Sequence, residues 1–159
     1  METTFCAFSG HRAIPEEAVE PLRRLLREKI ASLAAEGVCG FLCGGAMGFD
    51  TLAAEMVLGA RSRFPEITLT LALPYPGQAD RWPEAAQWQY QKICDAADEV
   101  IYVSEAYTRF CMMQRNRYLV DHASVLVCYL MKTSGGTAGT VKYALHRGLT
   151  VENLAMEIE

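Results

Sequence analysis

The 159 residues comprise 15 Lys and Arg against 19 Asp and Glu, with 51% apolar and 21% charged side chains. That balance predicts a single domain, residues 1–159, folded around one core, and excludes a chain too polar to offset its ordering entropy. A formal charge of −4 excludes a surface built throughout to neutralise polyanionic phosphate, while leaving room for a local basic patch.

Short runs of β-branched and aromatic residues alternate with longer stretches of helical period, the pattern of an α/β fold with a mainly parallel sheet of about six strands. The first strand is expected over Thr3–Phe8. Ser9, Gly10, His11 and Arg12 follow, then a helix that starts at Pro15, carries Val19, Leu22, Leu26, Ile30 and Leu33 on one face and stops at Gly37. The second strand, Val38–Cys43, opens into Gly44, Gly45, Ala46, Met47, Gly48, Phe49 and Asp50 ahead of a helix over Thr51–Phe64. Pro74 halts the third strand, Ile67–Leu73, and the prolines and glycine of Tyr75–Pro83 predict a long loop before a helix to about Ala97. The fourth strand, Glu99–Ser104, precedes a polar-aromatic loop and a helix with Met112, Asn116, Leu119 and Ala123 in one stripe. The fifth, Ser124–Leu130, leads into Ser134, Gly135, Gly136, Thr137, Ala138, Gly139 and Thr140 and a helix to His146. Gly148 caps that helix before a last strand near Thr150–Leu154.

The unusual residues gather where strands give way to helices, and in an open parallel sheet the ligand crevice lies beyond the carboxyl ends of the strands. Gly44–Gly48 leaves a strand and enters a helix. Its unhindered N–H groups and the helix dipole form an anion cradle on one reading, and on the other the glycines only let helix and strand approach. Gly135, Gly136, Thr137, Gly139 and Thr140 repeat the arrangement with hydroxyls added, which favours one phosphate site drawing on both loops. On that reading Gly45→Val abolishes binding and leaves the fold intact. The spacing is not the dinucleotide G-x-G-x-x-G, and no G-x-x-x-x-G-K-[ST] is present.

Arg12 either forks onto a phosphate or pairs with Glu16 or Glu17. His11 has the intrinsic pKa of an acid–base group, although a loop histidine is commonly a hydrogen-bonded structural residue. Asn116 lies in an apolar stripe, so its amide must find a partner in a ligand or a neighbouring loop. Arg115 borders that stripe, and Arg117 stands four residues before Asp121, the spacing of a helical ion pair. Glu105–Arg147 holds six basic residues against two acidic ones, a local field that attracts anions. Gln78, Arg81 and Trp82 make the loop after the third strand a candidate lid or base-stacking element, whereas Trp88 is expected to plug its helix onto the body of the domain. The six cysteines form no C-x-x-C pair and show no zinc-site spacing; they read as small hydrophobes in a reduced cytosol, and no metal site is expected. No apolar run approaches the ~20 residues that span a bilayer, so a cytoplasmic protein with no membrane partner is expected.

Taken in order, Ser9-Gly10-His11-Arg12, Gly44-Gly45-Ala46-Met47-Gly48-Phe49-Asp50, the Pro74 loop with Gln78 and Trp82, Met113-Gln114-Arg115-Asn116-Arg117 with Val120-Asp121, and Gly135-Gly136-Thr137 with Gly139-Thr140 resemble the YpsA-like group of the SLOG superfamily. That superfamily includes the DNA-processing protein DprA (Smf) and the LOG phosphoribohydrolases. The resemblance implies a Rossmann-like three-layer αβα fold, a nucleotide or ADP-ribose-like ligand at the glycine-rich edge, a regulatory or sensory role, and a homo-oligomer. LOG enzymes carry a PGGxGTxxE motif whose glutamate serves catalysis. This chain has an extra residue before Gly139-Thr140 and Tyr143 where that glutamate is expected. A phosphoribohydrolase-like activity therefore lacks its usual carboxylate, and Asp50 is the candidate substitute. The DprA-like pattern of Gly44–Asp50 brings single-stranded DNA into view as an alternative partner, against which the net charge and the few aromatic platforms argue.

Overall fold

The computed structural model describes residues 4–158. Six strands, β1 (Thr4–Gly10), β2 (Val38–Cys43), β3 (Thr68–Leu73), β4 (Glu99–Tyr102), β5 (Val125–Tyr129) and β6 (Thr150–Asn153), form one sheet in the order β4-β3-β2-β1-β5-β6. Every neighbouring pair is parallel. Helices α1 (Glu16–Ala35), α2 (Phe49–Ala60), α3 (Glu84–Ala96), α4 (Cys111–Asp121) and α5 (Gly136–His146) supply the crossovers, and a 3-10 turn over Leu154–Glu157 follows β6.

Both faces of the sheet are covered, as parallel sheets require. With side chains alternating along each strand, Cys6, Phe8, Phe41, Cys43, Leu69, Leu71, Leu73, Val127 and Tyr129 pack against α1, α2 and Ile93 of α3. Ala7, Leu42, Ala72, Leu126 and Cys128 face α4 and α5 on the other side. Large side chains thus fill one layer, and the second has alanines, Ala7 and Ala72, among its central strand positions. The α1 stripe buries Ala18, Leu22, Leu26, Ile30, Leu33 and Ala34 at spacings of about one turn; Leu22, Leu26 and Ile30 are fully buried, each worth about 1.5–3 kcal/mol of transfer free energy.

The elements fall where the sequence predicts them, with shifted ends. The expected start of the first strand at Thr3 lies outside the described residues. Its far end runs two residues beyond Phe8, because Ser9 and Gly10 continue the ladder against Cys128 and Tyr129 of β5. Helix α2 begins at Phe49 rather than Thr51, putting Asp50 in its first turn. It stops at Ala60 rather than Phe64, where the amides of Arg63 and Phe64 fold back onto the Ala60 carbonyl in a tight turn. The fourth strand ends at Tyr102, two residues short of Ser104.

The chain steps outward from β1 to β4, returns across the sheet to β5 beside β1, and continues to β6. The reversal between β1 and β5 is a topological switch point, where the loops leaving adjacent strands diverge and open a crevice at the strands' carboxyl ends.

Candidate functional site

A cleft of about 360 Å³ occupies that switch point. Ser9, Gly10, His11 and Arg12 reach it from β1, Ala46 and Asp50 from β2 and α2, Met112, Arg115 and Asn116 from α4, and Lys132, Ser134, Gly135, Gly136 and Thr137 from the exit of β5. Four of the five predicted strand exits therefore meet in one place.

The β1 exit is braced on both sides. The Phe49 amide donates to the His11 carbonyl at 3.1 Å, and the Met131 amide donates to His11 Nε2 at 2.8 Å. The imidazole also meets Tyr129 edge to face, with ring centroids 5.9 Å apart. Burial, and then the Lys132 charge, holds His11 below its ordinary pKa. His11 is thus a neutral ring with its proton on Nδ1, and the lone pair a general base would use is spent on tying the β1 loop to the β5 loop. Arg12 is exposed and, among the described residues, forms no ion pair; its expected alternative partners Glu16 and Glu17 leave it free to face the cleft.

The first glycine loop is largely occupied by its own chain. Gly48 takes φ 78°, and a Cβ there would strike the Arg12 carbonyl. Gly45 takes φ 72° and lies against Leu73, while Gln78 Nε2 donates to the Gly45 carbonyl at 3.3 Å. The Ala46 amide donates to Asp50 Oδ2 at 3.1 Å, so a carboxylate of the protein already takes one of the N–H groups expected to hold a phosphate. Gly44, Gly45, Met47 and Gly48 do not line the cleft, Met47 and Gly48 bordering a neighbouring cavity beside Arg12 instead; Ala46 and Asp50 are the loop's lining residues.

Asp50 is 5% exposed, and its Oδ1 has no hydrogen-bond partner. Burial pushes its pKa up to about 6, against the opposing pull of Arg115, the Ala46 amide and Arg12. Arg115, equally buried, is lowered by burial and held up by Asp50. Its Nη1 donates to the Gly44 carbonyl and its Nε to Asn116 Oδ1 at 2.7 Å. The partner that a stripe-bound Asn116 requires is therefore Arg115, and the amide nitrogen of Asn116 faces Gly136.

The second glycine loop differs in being open. Gly135 caps α5 with no side-chain hydrogen bond, which leaves the first-turn N–H groups without helical acceptors at the positive end of the dipole. Gly135, Gly136 and Thr137 line the cleft, with Lys132 beside them and Arg12 on the β1 side. Thr140 is turned inward, its hydroxyl donating to the Gly136 carbonyl at 2.8 Å. An outer shelf of about 480 Å³ continues the cleft past Met112 and Asn116 to Arg109, Met113, Arg117, Gly139, Thr140 and Tyr143. On that shelf the Tyr143 hydroxyl donates to Asp121 at 2.7 Å and the Arg117 guanidinium lies 5.1 Å from the Tyr143 ring centroid. Asp121 pairs with Arg147 at 3.5 Å, so the helical pair predicted between Arg117 and Asp121 gives way to contacts between helices.

Gln78 and Trp82 are not at the cleft. Gln78 is buried beneath its loop, and Trp82 meets Tyr90 edge to face at 5.2 Å. Trp88, expected as a plug, is 64% exposed with Lys92 Nζ 4.2 Å from its ring centroid; of α3 only Ile93 is buried, so that tryptophan falls on the outward face. Lys132 and Met112 also line the cleft, although neither belongs to a glycine loop or to the Ser9–Arg12 stretch. Lys132 carried a legible signal, a lone cation just past an apolar strand.

Comparison with known proteins places these features. The chain is 27% identical over 108 residues to the UPF0398 protein SH1465 of Staphylococcus haemolyticus, covering 67% of this chain and 58% of that relative. It is 34% identical over 107 residues to the UPF0398 protein SSP1297 of Staphylococcus saprophyticus, covering 66% and 57%. The chain thus spans little more than half the length of these curated relatives. Its fold is similar to that of DNA processing protein A from Streptococcus pneumoniae, with a TM-score of 0.67 at 16% identity over 94% of this chain and 49% of that one. DNA processing protein A from Helicobacter pylori, solved for its single-stranded DNA binding mode, gives 0.65 at 18% identity over 93% and 63%. The model of the YpsA family, described as the YspA SLOG family, matches residues 7–155, and with the Rossmann-like sheet and the glycine-loop cleft it covers, the chain belongs to that family.

Proposed function

We propose that the switch-point cleft binds a small phosphate-bearing ligand of nucleotide type, and that the protein acts as a binding or sensing module. The observation that carries this reading is the uncapped N-terminus of α5 opening into the cleft between Arg12 and Lys132. Backbone donors, a helix dipole and two cations line one cleft, a combination suited to phosphate. Calorimetric titration with nucleoside mono- and diphosphates tests it. Arg12→Glu and Lys132→Glu are each expected to weaken binding at least tenfold while leaving the thermal midpoint nearly unchanged, since both side chains are exposed. Unchanged affinity in both variants would overturn the assignment.

A second reading has its own observation. Arg109 and Arg117 rim the outer shelf beside exposed Phe110 and Met113, a mixture of cations and apolar surface that suits a longer chain of phosphates and bases. Oligonucleotide affinity falling steeply with salt, and lost in Arg109→Glu with Arg117→Glu, would favour it over a single small ligand. A hydrolytic activity would have to use Asp50, the one carboxylate among the described residues lining the cleft, because Tyr143 is turned toward Asp121. Nucleotide turnover abolished by Asp50→Asn is the result that would replace binding by catalysis.

A further inference from the structure

The cleft has two unlike ends. At the α5 end it offers donors and cations. At the α2 end it offers Asp50, 5% exposed, with Oδ2 committed to the Ala46 amide and Oδ1 bound to nothing. A buried polar oxygen without a partner forfeits its hydration, and in native proteins such a group commonly awaits a partner from outside the chain. An anion does not suit Asp50 when it is ionised, and a cation is disfavoured by Arg115, which approaches from α4. A neutral donor fits.

Building on the phosphate reading above, we infer that the ligand carries a sugar hydroxyl that donates to Asp50 Oδ1 while its phosphate rests on the N-terminus of α5, so that the site selects ribonucleotides over deoxyribonucleotides and inorganic phosphates. The sheet sets the two groups apart. Asp50 follows β2 and the α5 terminus follows β5, with β1 between them, so the two groups enter the cleft from different strand exits on opposite faces of the sheet. An inorganic phosphate or diphosphate is an anion with no neutral donor to offer Asp50, whereas a sugar carrying a 5′-phosphate brings hydroxyl donors and an anionic group in one molecule. Asn116 and Ser9 are further polar residues lining the same cleft. Asp50 here is a specificity residue for the bound sugar, and nothing in the inference requires bond cleavage.

The test uses the full chain and a panel of the four ribonucleoside 5′-monophosphates with their 2′-deoxy and 3′-deoxy counterparts, plus inorganic diphosphate, measured by calorimetry. Loss of the hydroxyl that meets Asp50 is expected to weaken binding by tenfold or more, because it restores the unpartnered oxygen. Asp50→Asn is expected to weaken the ribonucleotides while leaving the deoxy compound at its already reduced affinity, so that the two losses do not add. The comparison within the unmutated protein stands even if that variant folds poorly. Equal affinity for ribo- and both deoxynucleotides, or a uniform loss across the panel in the variant, overturns this inference alone. Failure of every phosphate compound to bind overturns the phosphate reading and this inference with it.

Discussion

Asp50 ionises near 3.8 in an unfolded chain and at about 6 in the fold, where burial outweighs the help of Arg115 and the Ala46 amide. Between those values the native state holds a proton that the unfolded chain has released, so stability falls as pH rises through this window. The loss totals roughly 3 kcal/mol and is complete above about pH 6. Asp50→Asn cannot ionise and escapes that slope. In urea unfolding, the stability of the variant relative to the parent is expected to increase by about 2–3 kcal/mol between pH 4 and pH 7.5; a pH-independent difference would show that the Asp50 carboxyl ionises in the fold as it does in the unfolded chain. The glycines of the same loop give a second prediction. Gly48→Ala sets a Cβ against the Arg12 carbonyl at φ 78°, a backbone atom that cannot step aside, and should lower stability by more than about 2 kcal/mol in chemical denaturation. Gly45→Val meets buried Leu73 at φ 72° and belongs with it. A substitution that the glycine pattern alone offers as a binding probe is, in the folded chain, a folding probe. The sequence marked both glycine loops, but not which of them would be filled by its own carboxylate, since that depends on where α2 starts, two residues earlier than the periodicity suggests.

Among the helices, α1 and α3 are opposites. Helix α1 seats six buried side chains in the sheet's large-residue layer, whereas α3 buries only Ile93, packs Tyr90 and Cys94 half-buried beside it, and exposes Trp88. Few buried contacts mean a small free energy of local opening. Amide exchange is therefore expected to be markedly faster across Glu84–Ala96 than across Leu22–Leu33, measured by mass spectrometry; equal protection would mean that α3 is held by a partner surface in solution. The helical period of α3 was legible in its sequence, and its shallow seat was not. Periodicity gives the face a helix turns inward, while the depth of burial depends on the shape of what it meets. The same limit accounts for Trp82, Trp88 and Gln78. A tryptophan in a loop has the chemistry to stack on a base, and only the position of Tyr90 decides that Trp82 packs inside instead. Arg115 and Asn116 were legible because adjacent polar residues beside an apolar helical stripe must find partners, and they find each other and the Gly44 carbonyl.

At the scale of the molecule, the order of strands and helices followed from hydrophobic period and from the glycines and prolines that punctuate it. The lateral order of the sheet did not, since adjacency is fixed by long-range pairing that leaves no local mark. It matters most at the site, because placing β5 beside β1 is what joins loops more than a hundred residues apart. The segment charge tally anticipated part of this: Lys132 and Arg115, from the basic stretch, do reach the cleft, while Arg147 is spent on Asp121.

The two edges of the sheet, β4 and β6, are its shortest strands, four residues each, and the chain leaves β6 directly into a 3-10 turn pinned by Asn153, whose side chain accepts from the Ala155 and Leu130 amides. An exposed strand edge invites another chain to extend the sheet, and brevity with an abrupt turn blunts that invitation. Short, abruptly ended edges of this kind leave few unpaired backbone groups for a second sheet to capture.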